Sequence, residues 1–402
     1  MTPLHGRTLV AAMCVAQVCN LLPHVVVPAI MAQHLIPLWD LSAAQAGLMA
    51  SAYAFGYMLA VPVLTALSDH FDARGILVAG SAVSGLATIA FGLLADGLLS
   101  ASLLWGIAGA GFGGAYMPGL KALTDRLPPG DISRSVTIYT SSFSVGVGLS
   151  FLVSQILADY YGWRAAFFVT GIAPFAMVAT SFLLEPFKPK AAPGHPLDFR
   201  PVIRNRAALG YVFGYGAHCF ELYGIRTWIV SFWTFVAARN ASDVLLGPVA
   251  ISVLFTLLSL PASVLGNEAA LRFGRHRAIA TIMLVSAATA LAIGLTATFS
   301  PIAILLLLLV YGFTVSGDSG ALTSGMSASA NLAQRGATMA LHSTVGFGLS
   351  ALGAWGTGVA LDLAGGPSSA SGWLAAFSLL AAGILLGPLA LWWSRVSPTE
   401  RV

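Results

Sequence analysis

Charge is scarce in this sequence. Asp, Glu, Lys and Arg make up only 8% of its 402 residues, against about 25% in soluble domains. A surface this poor in charge would aggregate in water, so the composition excludes a soluble globular protein and suits contact with lipid. Cysteine is scarce as well. Cys14, Cys19 and Cys219 are odd in number and lie inside apolar runs, which argues against a disulfide framework. The net charge of +4 is small and no basic stretch is interleaved with aromatics, so nucleic acid is not an expected partner. No metal-ligand spacing, no nucleophile with a positioned base and no phosphate loop is present, so neither a cofactor nor an enzyme is expected. A cleavable leader is not expected either: Arg7 runs into a long apolar segment that reads as a first span.

What is abundant is apolar length. Hydrophobic residues make up 57% of the chain, and the mean hydropathy is +0.85. A membrane span needs roughly 20 apolar residues to cross about 30 Å of hydrocarbon. Runs bounded by charge or by Gly and Pro clusters predict twelve such helices, at 8–31, 44–68, 75–96, 99–122, 135–158, 164–185, 207–236, 245–266, 277–298, 301–325, 337–362 and 371–394. Only helices or closed barrels satisfy the backbone in lipid, and runs of this length mean helices. The expected fold is an all-α membrane protein.

Orientation follows from Lys and Arg. With the N-terminus inside, 16 of the 19 basic residues fall on the cytoplasmic side, and only Arg164, Arg226 and Arg239 do not. That bias predicts both termini in the cytoplasm. The longest polar stretch, 186–206, then reads as a cytoplasmic linker between an N-terminal bundle at 1–185 and a C-terminal bundle at 207–402.

The two halves repeat. Gly162-Trp163-Arg164-Ala165-Ala166-Phe167 reappears as Gly372-Trp373-Leu374-Ala375-Ala376-Phe377. Val145-Gly146-Val147-Gly148-Leu149-Ser150 reappears as Val345-Gly346-Phe347-Gly348-Leu349-Ser350. Arg134 and Thr137 match Arg335 and Thr338, and Asp159 matches Asp362. Several matches in one order predict two pseudo-symmetric six-helix bundles.

With these features the whole chain resembles the major facilitator superfamily, whose parallel six-span repeats bind substrate near the midplane between them. That family marks the loop between helices two and three with Gly, Asp, Arg, Gly and paired basic residues. Here the loop is Leu67-Ser68-Asp69-His70-Phe71-Asp72-Ala73-Arg74. Asp69 and Arg74 fit, whereas Asp72 stands at the second glycine and Ala73 at a basic position. The twin loop, Leu271-Arg272-Phe273-Gly274-Arg275-His276-Arg277, keeps the glycine and the basic cluster but has Leu271 at the acidic position. The resemblance implies a cytoplasmic gate using Asp69, Arg74 and Arg275. Read from the residues alone, the basic ones are equally well solvated charges obeying the orientation rule.

Other family marks differ. Trp105 stands where many proton-coupled members carry Arg, and Ser144–Ser150 lacks the proline of drug antiporters. The stretch from Gly113 to Arg134, followed by Gly162-Trp163-Arg164, is similar to anion and metabolite porters of the nitrate and cyanate type. Nitrate itself is disfavoured, because neither 44–68 nor 245–266 holds an interior Arg.

Ionisable groups within hydrocarbon cost several kcal/mol and tend to mark a pathway. An offset of 201 carries Gln17 onto His218 and Asn20 onto Glu221. Each pair is spaced i, i+3, one helical face, and each precedes a breaker, Pro23 or Gly224. Facing one another across a central cavity, these four residues with His24 form the expected substrate and proton pathway. The alternative for the amides is polar glue between helices, worth about 0.6 kcal/mol on average. A carboxylate is too costly for glue alone, so Glu221 is the expected proton carrier. Counted from position 207 it falls past the midplane, towards the outside. Asp318, in Ser316-Gly317-Asp318-Ser319-Gly320, and His342 fall in the other half and are close enough in depth to pair. Arg226 either binds an anion or snorkels to the outer interface. Tyr53 and Tyr57 on helix two either line the cavity or pack.

Together these observations predict a monomeric secondary transporter in a bacterial inner membrane. Its expected cargo is a small polar metabolite, an organic anion, moved by proton symport or exchange. The alternatives are export of amphipathic drugs, and a receptor or scaffold that uses this fold without turnover.

Overall fold

A computed structural model describes residues 4–128, 131–189, 199–240, 245–331 and 335–395. Every regular element in these residues is helical. The middle of the expected linker, 190–198, lies outside the described residues. The chain divides into two compact units. The first falls within Met1–Leu41 and Ala52–Leu197, the second within Ser42–Ser51 and Asp198–Val402.

The first unit opens with α1 (Gly6–Asn20), α2 (Val26–Ile30), a π-helical turn (Met31–Leu35) and α3 (Ile36–Trp39). The single expected span at 8–31 is therefore interrupted at residues 21–25, and helical structure continues to Trp39. Pro23 is the cause, because it lacks the N–H that would continue the helix. Ser150 repairs the gap. Its hydroxyl donates to Leu22 O at 2.6 Å and accepts from Val25 N–H at 3.2 Å. The unit continues with α4 (Ala43–Leu67), whose first turns group with the second unit, then α5 (Ala73–Leu94), α6 (Leu98–Gly113) and α7 (Tyr116–Thr124). It ends with α8 (Ile132–Tyr161), α9 (Trp163–Ile172) and α10 (Phe175–Ser181). Glycine lets α4 and α6 touch backbone to backbone: a side chain at Gly56 or Gly109 would overlap the main chain of Gly106 or Tyr53. Small residues used this way are the usual device for packing helices in lipid.

The second unit contains α11 (Arg200–Arg204), α12 (Arg206–Arg239), α13 (Pro248–Phe273), α14 (Arg275–Leu295), α15 (Pro301–Gly317), α16 (Ser319–Ser329), α17 (Arg335–Leu363) and α18 (Ala370–Trp393). Asn205 caps α12 by accepting from Ala208 N–H at 3.1 Å. α13 runs seven residues past the expected end at 266, because its stop signal is Gly274, with φ of +91°. α12 is unbroken at Gly224, unlike its counterpart at Pro23. Glycine keeps its N–H, and here it accommodates the Leu380 side chain. The Asp362 carboxylate accepts from the N–H groups of Ala43 and Ala44 at 3.0 and 2.7 Å, at the N-terminus of α4.

Among the described residues, ten helices are long and apolar enough to cross a membrane. α1–α3 and α12 are not among them. The first is interrupted; the second is 34 residues long but carries four charged residues, Arg206, Glu221, Arg226 and Arg239.

Candidate functional site

Ionisable side chains converge inside the second unit. On α12, His218 and Glu221 are one turn apart, and both are buried. His218 Nδ1 lies 2.7 Å from Asp318 Oδ1. Asp318 sits at the joint between α15 and α16, where Gly266 of α13 packs directly on the Gly317 backbone. Glu221 Oε1 accepts a hydrogen bond from Ser286 on α14 at 2.9 Å. The Tyr311 hydroxyl on α15 lies against the same carboxyl group, and Asp318 is near enough to interact with it. The two carboxyls therefore both flank His218, Glu221 a turn away on α12 and Asp318 2.7 Å from its ring.

His342, on α17, does not pair with Asp318. It stacks on Tyr215 with centroids 3.9 Å apart, and Tyr215 stacks in turn on His218 at 5.6 Å. Arg226 is on the same helix as Glu221 but 140° around it. It does not snorkel: it is only 7% exposed. Its guanidinium lies 5.1 Å from the Tyr223 ring, and no acidic side chain among the described residues pairs with it.

In the first unit Gln17 and Asn20 are completely buried near the end of α1. Tyr139 donates to Gln17 Oε1 at 2.9 Å. His24, in the interruption after α1, sits among Tyr53, Phe112 and Phe143 at 5.1–5.3 Å. Tyr53 also packs on Trp105 at 4.9 Å, and Tyr57 on Phe112 at 5.8 Å. Both tyrosines face inward, whereas Phe55 between them is exposed.

The expected gate residues are each engaged within their own unit. Asp69 lies 3.8 Å from Lys121, and Arg74 donates to Leu184 O at 2.7 Å. Arg275 interacts with Tyr211. The hub of this end of the first unit is Asp72, a residue the motif comparison treats only as a departure. Both its oxygens accept from Arg126 Nη2 at 2.9 Å, and they also accept from the N–H groups of Arg74 and Phe187. Arg126 also donates to Glu185 O and Ala122 O. Partial burial raises the Asp72 pKa, but the Arg126 bond and the two backbone donors outweigh it, so the net shift is downward. Ser286, Tyr311 and Asp72 had no signal in the sequence: two are hydroxyls in apolar helices, and the third is a loop carboxylate.

These interiors, buried in long apolar helices, define a multi-pass membrane protein. A sequence profile of the Major Facilitator Superfamily matches residues 9–354, and the chain belongs to that family. Membership of that family makes it a secondary transporter and not an enzyme; solved structures share its fold. One such structure is a bacterial homologue of the human lysosomal transporter Spinster, inward-facing and unoccupied, with 16% identity and a TM-score of 0.72 over 97% of this chain and 98% of that one. Another is PepTSo, a POT family transporter, with 13% identity and a TM-score of 0.75 over 96% and 97%. A third is the nucleoside transporter NupG, with 13% identity and a TM-score of 0.73 over 96% and 100%. No curated protein matches the sequence.

Proposed function

We propose that this transporter moves a small organic anion by alternating access, coupled to proton binding in the second unit. The observation that carries the reading is Arg226. A guanidinium stays charged at any physiological pH, and a buried charge is costly unless paired. Arg226 is buried, and no acidic side chain among the described residues pairs with it, so a substrate carboxylate is its natural complement. The proton-binding groups are Glu221 and the His218–Asp318 pair, all within one turn of α12 or in contact with it. We further propose that α1–α3 and α12 complete twelve spans in two pseudo-symmetric bundles, joined by the segment 186–206. Both termini then lie in the cytoplasm of a bacterial cell, and Asp69, Arg74 and Arg275 act in the cytoplasmic gate. The molecule works as a monomer.

The test is uptake of small carboxylates into proteoliposomes with and without an imposed pH gradient. Arg226→Gln removes one charge-assisted contact, and apparent substrate affinity is expected to fall about 10- to 100-fold. Unchanged affinity in Arg226→Gln refutes anion binding there. The aromatic surroundings of His24 favour a second reading, export of amphipathic drugs. Growth on single carbon or nitrogen sources, set against drug tolerance, separates the two. A scaffold would show no substrate-dependent flux in the same vesicles.

A further inference from the structure

The buried amides of the first unit have no role in proton binding. Gln17 and Asn20 lie on one face of α1, a single turn apart, and neither is exposed at all. Tyr139 holds Gln17 Oε1, which fixes the amide plane and leaves Nε2 without an acceptor. Asn20 is less satisfied still. Among the described residues neither its Oδ1 nor its Nδ2 has a hydrogen-bond partner. The interruption after α1 does not supply one, because Ser150 already takes both Leu22 O and Val25 N–H. Buried amides are normally paired, so two orphaned ones side by side call for a partner from elsewhere.

The geometry also limits what that partner is. Asn20 offers an acceptor and a donor on one planar edge. A carboxylate, which only accepts, would satisfy Nδ2 and leave Oδ1 orphaned. An ammonium group, which only donates, would do the reverse. A group with a donor and an acceptor side by side satisfies both, and a spare acceptor reaches the Gln17 amide.

We propose that Gln17 and Asn20 form a subsite in the first unit for a carboxamide or urea group on the transported solute. This rests on the transporter reading above and narrows its substrate class to acids that also carry an amide.

The test uses butyrate, succinate and succinamate as probes of the purified full-length protein, with binding read by thermal melting. Succinamate is expected to bind about tenfold tighter than butyrate or succinate, the worth of one or two net hydrogen bonds. Asn20→Leu should bring succinamate binding down to the level of butyrate in the same variant, a loss of selectivity that a merely structural residue would not show. Gln17→Met should reduce the preference, and it carries the test if Asn20→Leu fails to fold. Equal binding of succinamate and butyrate by the native protein, no binding of succinamate, or a preference that survives these substitutions overturns the subsite. Gradient-driven uptake of carboxylates without amide preference overturns the subsite alone. An amide preference in binding with no flux in vesicles overturns the transport reading alone.

Discussion

Replacing Glu221 by Gln tests the coupling most directly. The side chain keeps its length, and the amide oxygen can still accept from Ser286, which lies 2.9 Å from Oε1 in the native protein. Any loss of packing is therefore small, no more than the roughly 1 kcal/mol of one imperfect hydrogen bond. What disappears is the ability to bind and release a proton. A pH difference of two units is worth about 2.7 kcal/mol per proton, enough for about 100-fold accumulation of a singly coupled substrate. Glu221→Gln is expected to bring that ratio down to about 1, while substrate counterflow at equal pH stays within a few-fold of native. The assay is uptake and counterflow in proteoliposomes with a pH gradient of set size. Native-like accumulation by Glu221→Gln refutes the assignment and transfers the role to Asp318 or a histidine.

Two further outcomes follow from contacts within single units. Asp318→Asn leaves His218 without its carboxylate and should cost about 2 kcal/mol of stability. The double variant His218→Phe with Asp318→Leu should recover most of that in detergent melting curves and recover no transport. Asp72→Asn removes the charge that Arg126 grips and should cost about 2 kcal/mol, read as a lower melting temperature. Because the Asp72 pKa is depressed, its contribution is fully present above the unfolded value of 3.8 and is lost only as pH falls through the lower folded value. Melting of the native protein should therefore show no transition from this clasp between pH 5 and 8, and one there would refute it.

Much of the helical layout was legible, because apolar length and its interruptions are written into composition. Pro23 and Gly224 looked alike as breakers, yet only proline removes a backbone donor, so only α1 gave way. The partners of the ionisable residues were less legible. His218 and Glu221 announce themselves as polar residues at i, i+3. Asp318 and Ser286 are 100 and 65 positions away from them, and only helix packing brings them near. Arg226 was ambiguous because sequence alone does not show its burial, and it is only 7% exposed. Asp72 was hidden by the motif itself, since a position that holds glycine elsewhere gives no hint of a hub that accepts from three donors.

The recurring Val-Gly-x-Gly-Leu-Ser motif is a further case. Gly146 admits Leu21 beside α8, and Gly346 admits Tyr215 and Cys219 beside α17. The serines that follow have parted company: Ser150 bridges the interruption after α1, whereas Ser350 donates to Gly346 O on its own helix.

The buried ionisable residues are unequally shared. Among the described residues Glu221, Arg226, Asp318, His218 and His342 all belong to the second unit, and of the buried Asp, Glu, Lys, Arg and His residues the first has His24 alone. A charge that crosses the full membrane potential exchanges about 2.3 kcal/mol per 100 mV. Electrical work done by these buried side chains during a cycle therefore falls mainly on the second unit. Voltage dependence should then follow substitutions at those five positions and be indifferent to substitutions at Gln17 and Asn20, even where the latter change which solute is carried.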